Sequence, residues 1–257
     1  MPVAAFPGAS LVGSSALVAL AGAAGGPAWA LAAAVGAGAA VFGVRIGLPR
    51  SAHRAFRTGR IGRAARLYRL QRGLRCDRRA RAQLEVSLAA CAVAQSEFGA
   101  ALAHLDEADP QRLGESGRAA WLNNRAYARA RCGVDLEGAL ADIDEALALR
   151  PDVSGFRHTR GVVVLNLGRV DEAIRELDAA WRTRPEGEGA PLEEAERCYD
   201  LGVAWLEKGE REYAADYFAR AERAAPASPW SRLAAERLIE AGGAQSAAAA
   251  SSTATAR

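Results

Sequence analysis

Three stretches of this chain repeat one another at fixed spacing, and that repetition constrains the fold more than any other feature. They are GVDLEGALADIDEALALRP (133–151), GRVDEAIRELDAAWRTRP (168–185) and GEREYAADYFARAERAAP (209–226). In each, a glycine leads by five or six residues to an alanine (Ala139, Ala173, Ala214). A large apolar residue follows four positions on (Ile143, Leu177, Phe218), then an alanine (Ala146, Ala180, Ala221), then a proline (Pro151, Pro185, Pro226). Pro151 and Pro185 are 34 residues apart; Pro185 and Pro226 are 41 apart, which allows a seven-residue loop insertion in the polar stretch EGEGAPLEE. Small residues at helical spacing let backbones approach, large apolar residues fill the gap, and a proline stops the second helix. A unit of this kind leaves an apolar face that only the next unit covers, so units stack.

A small residue also stands seven positions before each loop glycine: Ala126 before Gly133, Gly161 before Gly168 and Gly202 before Gly209. This pattern resembles the tetratricopeptide repeat (TPR) family, in which that residue lets the two helices of a repeat cross closely. A weaker repeat precedes these three, with Ala89, Phe98, Ala101, Leu105 and Ala108 in equivalent slots and Ser96 where glycine is expected. Gly59, Ala64 and Tyr68 fit a degenerate first repeat, with Gln71 in an alanine slot. The expected fold class is therefore all-α: a helix-turn-helix solenoid over 82–227, with no convincing strands. The β-branched run in RGVVVLNLG (160–168) is read as helix because both its glycines fall in the repeat register. Asp171, Glu172, Glu210 and Glu212 are expected in the first turns of second helices, where acids complement the helix dipole. Ser228 and Pro229 open a capping helix over 228–242, whose apolar stripe is Trp230, Leu233, Ala234 and Leu238. The tail 243–257 has too little bulk to pack and is expected to be disordered.

Charge divides the chain. Residues 1–44 carry no charged side chain, whereas residues 45–81 hold thirteen arginines against the single acid Asp77. The uncharged run has no basic residue before it, unlike a signal peptide, and is too long for one upright crossing. A break at Gly25-Gly26-Pro27 divides it into two spans, about 8–24 and 28–48, with Pro49 ending the second helix; a single span over 28–48 is the simpler alternative. Residues 49–81 are then a basic juxtamembrane region. Positive flanks stay cytoplasmic, so both ends of the anchor, 1–48, are expected inside. Arg45, Arg50, Arg54, Arg57 and Arg60 are expected to face anionic lipid headgroups. The dominance of Ala, Arg and Gly suits a high-GC bacterial genome, which makes the inner membrane the expected location.

The resemblance implies a concave groove lined by first helices. Its slots here are Asn123, Tyr127 and Arg131, then His158, Val162 and Asn166, then Glu196, Tyr199, Val203 and Glu207. Both signs of charge and two tyrosines suit a protein or peptide partner. Cys76, Cys91, Cys132 and Cys198 are widely spaced without a CxxC pair, so they are read as small buried residues rather than metal ligands. No GxSxG, Walker loop, HExxH or Rossmann pattern occurs, so neither an enzyme nor a cofactor is expected. The expected function is a membrane-anchored scaffold that binds protein partners at the cytoplasmic face. The alternative is a nucleic-acid-binding or regulatory protein acting through the arginine segment 45–81.

Overall fold

A computed structural model of the chain describes residues 27–74, 77–183 and 191–239. It contains α1 (Pro27–Phe42), a π-helical turn (Gly43–Gly47), α2 (Leu48–Arg57), α3 (Ile61–Leu74), α4 (Arg78–Ala94) and α5 (Phe98–Asp106). These are followed by α6 (Glu115–Cys132), α7 (Leu136–Leu149), α8 (Ser154–Asn166), α9 (Val170–Arg182), α10 (Pro191–Glu207) and α11 (Arg211–Ala224). Residues 229–239 form α12, and no strand occurs among the described residues. The first expected span, 8–24, the Gly25-Gly26 break, Cys76 and the tail 243–257 lie outside the described residues.

Helices α2 to α11 pack as five antiparallel pairs, each pair stacked on the next. The repeat slots explain why. Ala52, Ala89 and Ala126 are fully buried, as are Ala64, Ala101, Ala139 and Ala173, with Ala214 nearly so. The large residues Leu105, Ile143, Leu177 and Phe218 fill the interior between them. At Gly161 an added Cβ would lie 2.7 Å from Leu177 Cγ, and at Gly202 it would lie 2.5 Å from Phe218 Cε1, so the close helix crossings exclude a side chain there. The loop inside each pair turns on a left-handed residue: Gly59 (φ 71°), Gly133 (68°), Gly168 (76°), Gly209 (89°) and, in the second pair, Ser96 (60°). The weak second repeat and the degenerate first one therefore have the same geometry as the others. In the first, Gln71 is buried in the alanine slot and its Nε2 donates to the Leu67 carbonyl at 3.3 Å.

Sequence expectations fail at four places. Pro49 does not end the helix. Phe42, Gly47 and Leu48 all keep right-handed helical angles, and the Leu48 N–H reaches back five residues to the Gly43 carbonyl. That widened turn makes room for the pyrrolidine ring, which in a regular helix meets the carbonyl four residues back. The apolar helix and the first helix of the first repeat are consequently one rod, and Ala30–Arg57 is long and apolar enough to cross a membrane. Second, α10 already begins within the polar stretch EGEGAPLEE: Pro191–Glu194 form its first turn, with proline at its tolerated position. Third, Cys91 and Cys198 are buried but Cys132, in the last turn of α6, is exposed. Fourth, Leu233 leaves the apolar stripe of α12 for solvent, while Trp230 and Ala234 pack on α10 and α11. The Ser228 cap forms as expected, its Oγ accepting from the Ser231 N–H at 3.1 Å.

Candidate functional site: the concave face

Successive first helices α4, α6, α8 and α10 touch along one side of the stack. All ten sequence-derived groove residues lie on the last three of these, and α12 follows them in the position of a sixth first helix. The curvature is tight enough that side chains of α6 reach α10, two repeats away. Arg131 donates from Nη1 and Nη2 to the two Asp200 carboxylate oxygens at 2.8 and 2.7 Å. Its Nε donates to the Tyr127 hydroxyl at 2.7 Å, and that hydroxyl in turn donates to Glu196 Oε1. His158, on the intervening helix α8, brings Nε2 within 3.0 Å of Asp200 Oδ2, without the alignment of a good hydrogen bond. The guanidinium of Arg131 also lies over two rings, 4.9 Å from the centre of Tyr127 and 4.6 Å from that of Trp230.

Tyr127, His158, Val162, Tyr199 and Asp200 are buried, Asn166 and Glu207 are exposed, and Asn123, Arg131, Glu196 and Val203 are intermediate. The Asn123 Nδ2 donates to Asn124 Oδ1 at 3.3 Å, and Asn166 Nδ2 to the Val162 carbonyl at 2.8 Å. Burial of this cluster disfavours ionisation of Asp200, but the facing Arg131 guanidinium and His158 outweigh it and hold its carboxyl below the ordinary range. Burial likewise opposes the charge on Arg131, which Asp200, Tyr127 and Glu196 more than restore. The Tyr127 hydroxyl is raised well above its usual value by burial and by Glu196. A buried charge this well paired is locked, because removing either partner leaves the other desolvated.

Two cavities adjoin the cluster. One of about 580 Å³ is lined by Arg131, Val162, Asn166, Tyr199, Val203, Glu207 and Arg237. The other, about 310 Å³, opens at the start of α8 between Ser154, Gly155, His158, Glu193, Glu196 and Arg197. Both offer donors, acceptors and apolar wall, the mixture a peptide backbone with side chains requires. By repeat register, the positions equivalent to Asn123, Tyr127 and Arg131 are Val86, Ala90 and Ala94 on α4 and Pro49, His53 and Arg57 on α2, a set with far fewer polar groups than the C-terminal wall.

Sequence reading missed Asp200 and Trp230 as members of this site. Asp200 stands four residues after Glu196, so helical periodicity places both on one face, and that signal was available. The reach of Arg131 across two repeats to Trp230 was not, because it depends on superhelical curvature. Of the expected lipid-facing set, Arg50, Arg54, Arg57 and Arg60 are exposed and Arg45 is partly covered.

No protein-family model matches this chain, and no curated protein matches its sequence. Solved structures do. The thermophilic TPR protein TTC0263 of Thermus thermophilus is 22% identical with a TM-score of 0.53, over 75% of this chain and 95% of that one. BtubC from P. vanneervenii is 18% identical (TM-score 0.47; 85% and 90% covered). YrrB, described as a TPR protein with an unusual peptide-binding site, is 19% identical (0.43; 74% and 91%). With the repeat slots, left-handed loops and close helix crossings in place, the chain has the tetratricopeptide-repeat fold: five helix pairs and a terminal helix among the described residues.

Proposed function

We propose that this protein is a membrane-anchored TPR scaffold whose concave face takes up a segment of a protein partner at the cytoplasmic face of the inner membrane. The carrying observation is the 580 Å³ cavity on the concave face, where exposed Asn166 and Glu207 and apolar Val203 stand beside a rigid ionic wall. A wall already locked by its own ion contacts loses little freedom when a partner binds, which favours affinity. The anchor reading is supported by the apolar rod Ala30–Arg57, none of whose most apolar stretch is buried. The arginines that follow it favour a cytoplasmic solenoid. In this reading 1–48 is the anchor, 82–227 the binding solenoid, and Asn123, Tyr127, Arg131, His158, Val162, Asn166, Glu196, Tyr199, Val203 and Glu207 are the binding face.

In cells, the full chain is expected in the membrane pellet, resistant to carbonate extraction. A photo-crosslinking residue at Val203 should capture discrete protein adducts, which disappear when Asn166→Arg and Glu207→Arg are introduced together. The same probe at Tyr213, exposed on α11, should not give those adducts. Identical adducts from both positions would remove the groove from the reading, and a soluble protein released from nucleic acid by salt would replace it with the nucleic-acid alternative.

A further inference from the structure

Because the apolar helix runs on through Pro49 as a rod, the first repeat has a fixed height above any bilayer that the rod crosses. Arg57 lies twelve residues beyond Arg45, about 18 Å along the axis, so the far end of α2 and its arginines stand beyond a Debye length from the headgroups. Helix α3 returns antiparallel to α2 for 14 residues, about 21 Å. It therefore outruns the ten residues of α2 and brings its C-terminal end down to the level of the π-helical turn and Arg45.

At that lower end the molecule exposes two large apolar side chains, Leu70 and Leu74, each 52% accessible although they belong to a packed repeat. Arg69, the residue before Leu70, is exposed as well, and α4 begins with exposed Arg78 and Arg79, the first of which also lines a cavity with Glu107 and Asp109 of the second repeat. Side chains tilt toward the start of their helix, so Arg78 and Arg79 lean toward the same plane. Asp77, the one acid between residues 45 and 81, caps α4, accepting from the Arg79 and Ala80 N–H groups at 3.2 Å each. Exposed apolar side chains on the same edge as exposed arginines, at the exit level of an apolar rod, fit the boundary between acyl chains and anionic headgroups.

We propose that this lower edge of the first repeat, Leu70 and Leu74 with Arg69, Arg78 and Arg79, is a lipid-binding surface that seats the solenoid upright on an anionic bilayer. The proposal rests on the anchor reading above and adds to it a second, peripheral membrane contact made by the repeat domain itself. It moves the lipid contact away from Arg54, Arg57 and Arg60 and onto residues that follow them in sequence but lie below them in space. A consequence is a groove held at one orientation to the membrane rather than swinging on a linker.

The purified full chain, reconstituted in vesicles of phosphatidylcholine alone or mixed with phosphatidylglycerol, tests this directly. A photo-crosslinking phenylalanine analogue is placed in turn at Val35 in α1, at Leu74, and at Tyr213. Val35 should form lipid adducts in both vesicles and Tyr213 in neither. Leu74 should form them in the anionic vesicles and at least about fivefold less in the neutral ones, the factor expected for a single one of its three arginines near a charged leaflet. Arg78→Glu with Arg79→Glu should lower the Leu74 yield to the neutral level. Acids in the first turn of α4 suit its dipole, so the variant folds and keeps its helical circular dichroism. Lipid adducts at Val35 but not at Leu74 overturn the proposal and leave the anchor standing, as does a Leu74 yield indifferent to lipid charge and to the double substitution. Absence of adducts at Val35 overturns the anchor and this proposal with it.

Discussion

The two ends of the solenoid use one helix-pair geometry but finish their concave faces in opposite ways. From α6 onward the inner wall is closed by its own charges, with Arg131 bound to Asp200 across two repeats and covered by Tyr127 and Trp230. Among the described residues the first two repeats are joined instead through one buried carboxylate, Glu85, which pairs with Arg72 on α3 and His104 on α5, and no ion pair spans two repeats there. The register-equivalent positions on α4 are apolar, and those on α2 include exposed His53 and Arg57. The cores differ in the same direction. The first repeat packs on α4 through a cluster with one aromatic ring, around Ala52, Ala64, Tyr68 and Leu84, whereas the last packs on a terminal helix through the three rings of Tyr199, Phe218 and Trp230. Stability in a solenoid is close to a sum of local terms. The contrast therefore predicts a C-terminal half that is stiff by itself and an N-terminal repeat whose order depends on what it touches.

Breaking the Arg131–Asp200 contact should give the largest effect. Asp200→Asn removes the bidentate counter-charge of the Arg131 guanidinium and leaves it only the longer contact to Glu196 at 3.4 Å, which should cost about 3 kcal/mol by chemical denaturation. Arg57→Met, on the N-terminal part of the same face, should stay within about 0.5 kcal/mol. If the two substitutions cost the same, the contrast between the halves is wrong. The contact also has a pH signature. The Asp200 carboxyl is depressed in the folded state, so its contribution is fully present above the unfolded value of about 4 and is lost as pH falls through the folded value. Acid unfolding of the wild type should steepen in that window, and the Asp200→Asn variant should lack this component.

Glycines sharpen the comparison at the next level. Gly202→Ala forces a methyl group against the ring of fully buried Phe218, an overpacking expected to cost about 1–3 kcal/mol. Gly43 has open space around it within this chain. Gly43→Ala in the detergent-solubilised protein should therefore be neutral or stabilising by up to about 1 kcal/mol, from helix propensity alone. A large loss there would mean that the apolar helix packs closely against something other than the described residues.

The solenoid was legible in the sequence because its determinants are local: a small residue, a left-handed loop, an alanine and a large apolar residue recur in each unit. Ser96 shows how far that reading extends. It departs from glycine yet holds φ at 60° because the helices on either side fix the turn. An L-residue there carries about 1–2 kcal/mol of strain, so Ser96→Gly should raise stability by about 1 kcal/mol, measured as a shift in denaturation midpoint at unchanged slope. Two things were not legible. The persistence of the helix past Pro49 depends on a π turn, where one register shift in the hydrogen bonding removes the clash that a proline signals. The closure of the groove depends on curvature summed over three repeats, which no single repeat encodes, so Tyr127 and His158 read as ligand-facing positions although their side chains are buried.

The smallest effect distinguishes the two ends without altering either. Cys132 is exposed, whereas Cys91, on α4, lies in the core between the first and second repeats and Cys198 in the terminal core. Burial pushes the Cys91 thiol up to about 11, more than nearby Arg69 lowers it, and raises Cys198 as well. Near pH 8 neither buried sulfur is a thiolate, so a maleimide should label Cys132 at once and spare both, as mass spectrometry of the digested protein will report. With rising denaturant, Cys91 should become reactive before Cys198, because only the second is held by the terminal helix and the ionic closure above it. In vesicles carrying anionic lipid the gap should narrow, since a seated first repeat gains protection that the distant end does not. Simultaneous labelling of the two in detergent would instead describe a solenoid that opens as one unit, and would remove the asymmetry on which the comparison rests.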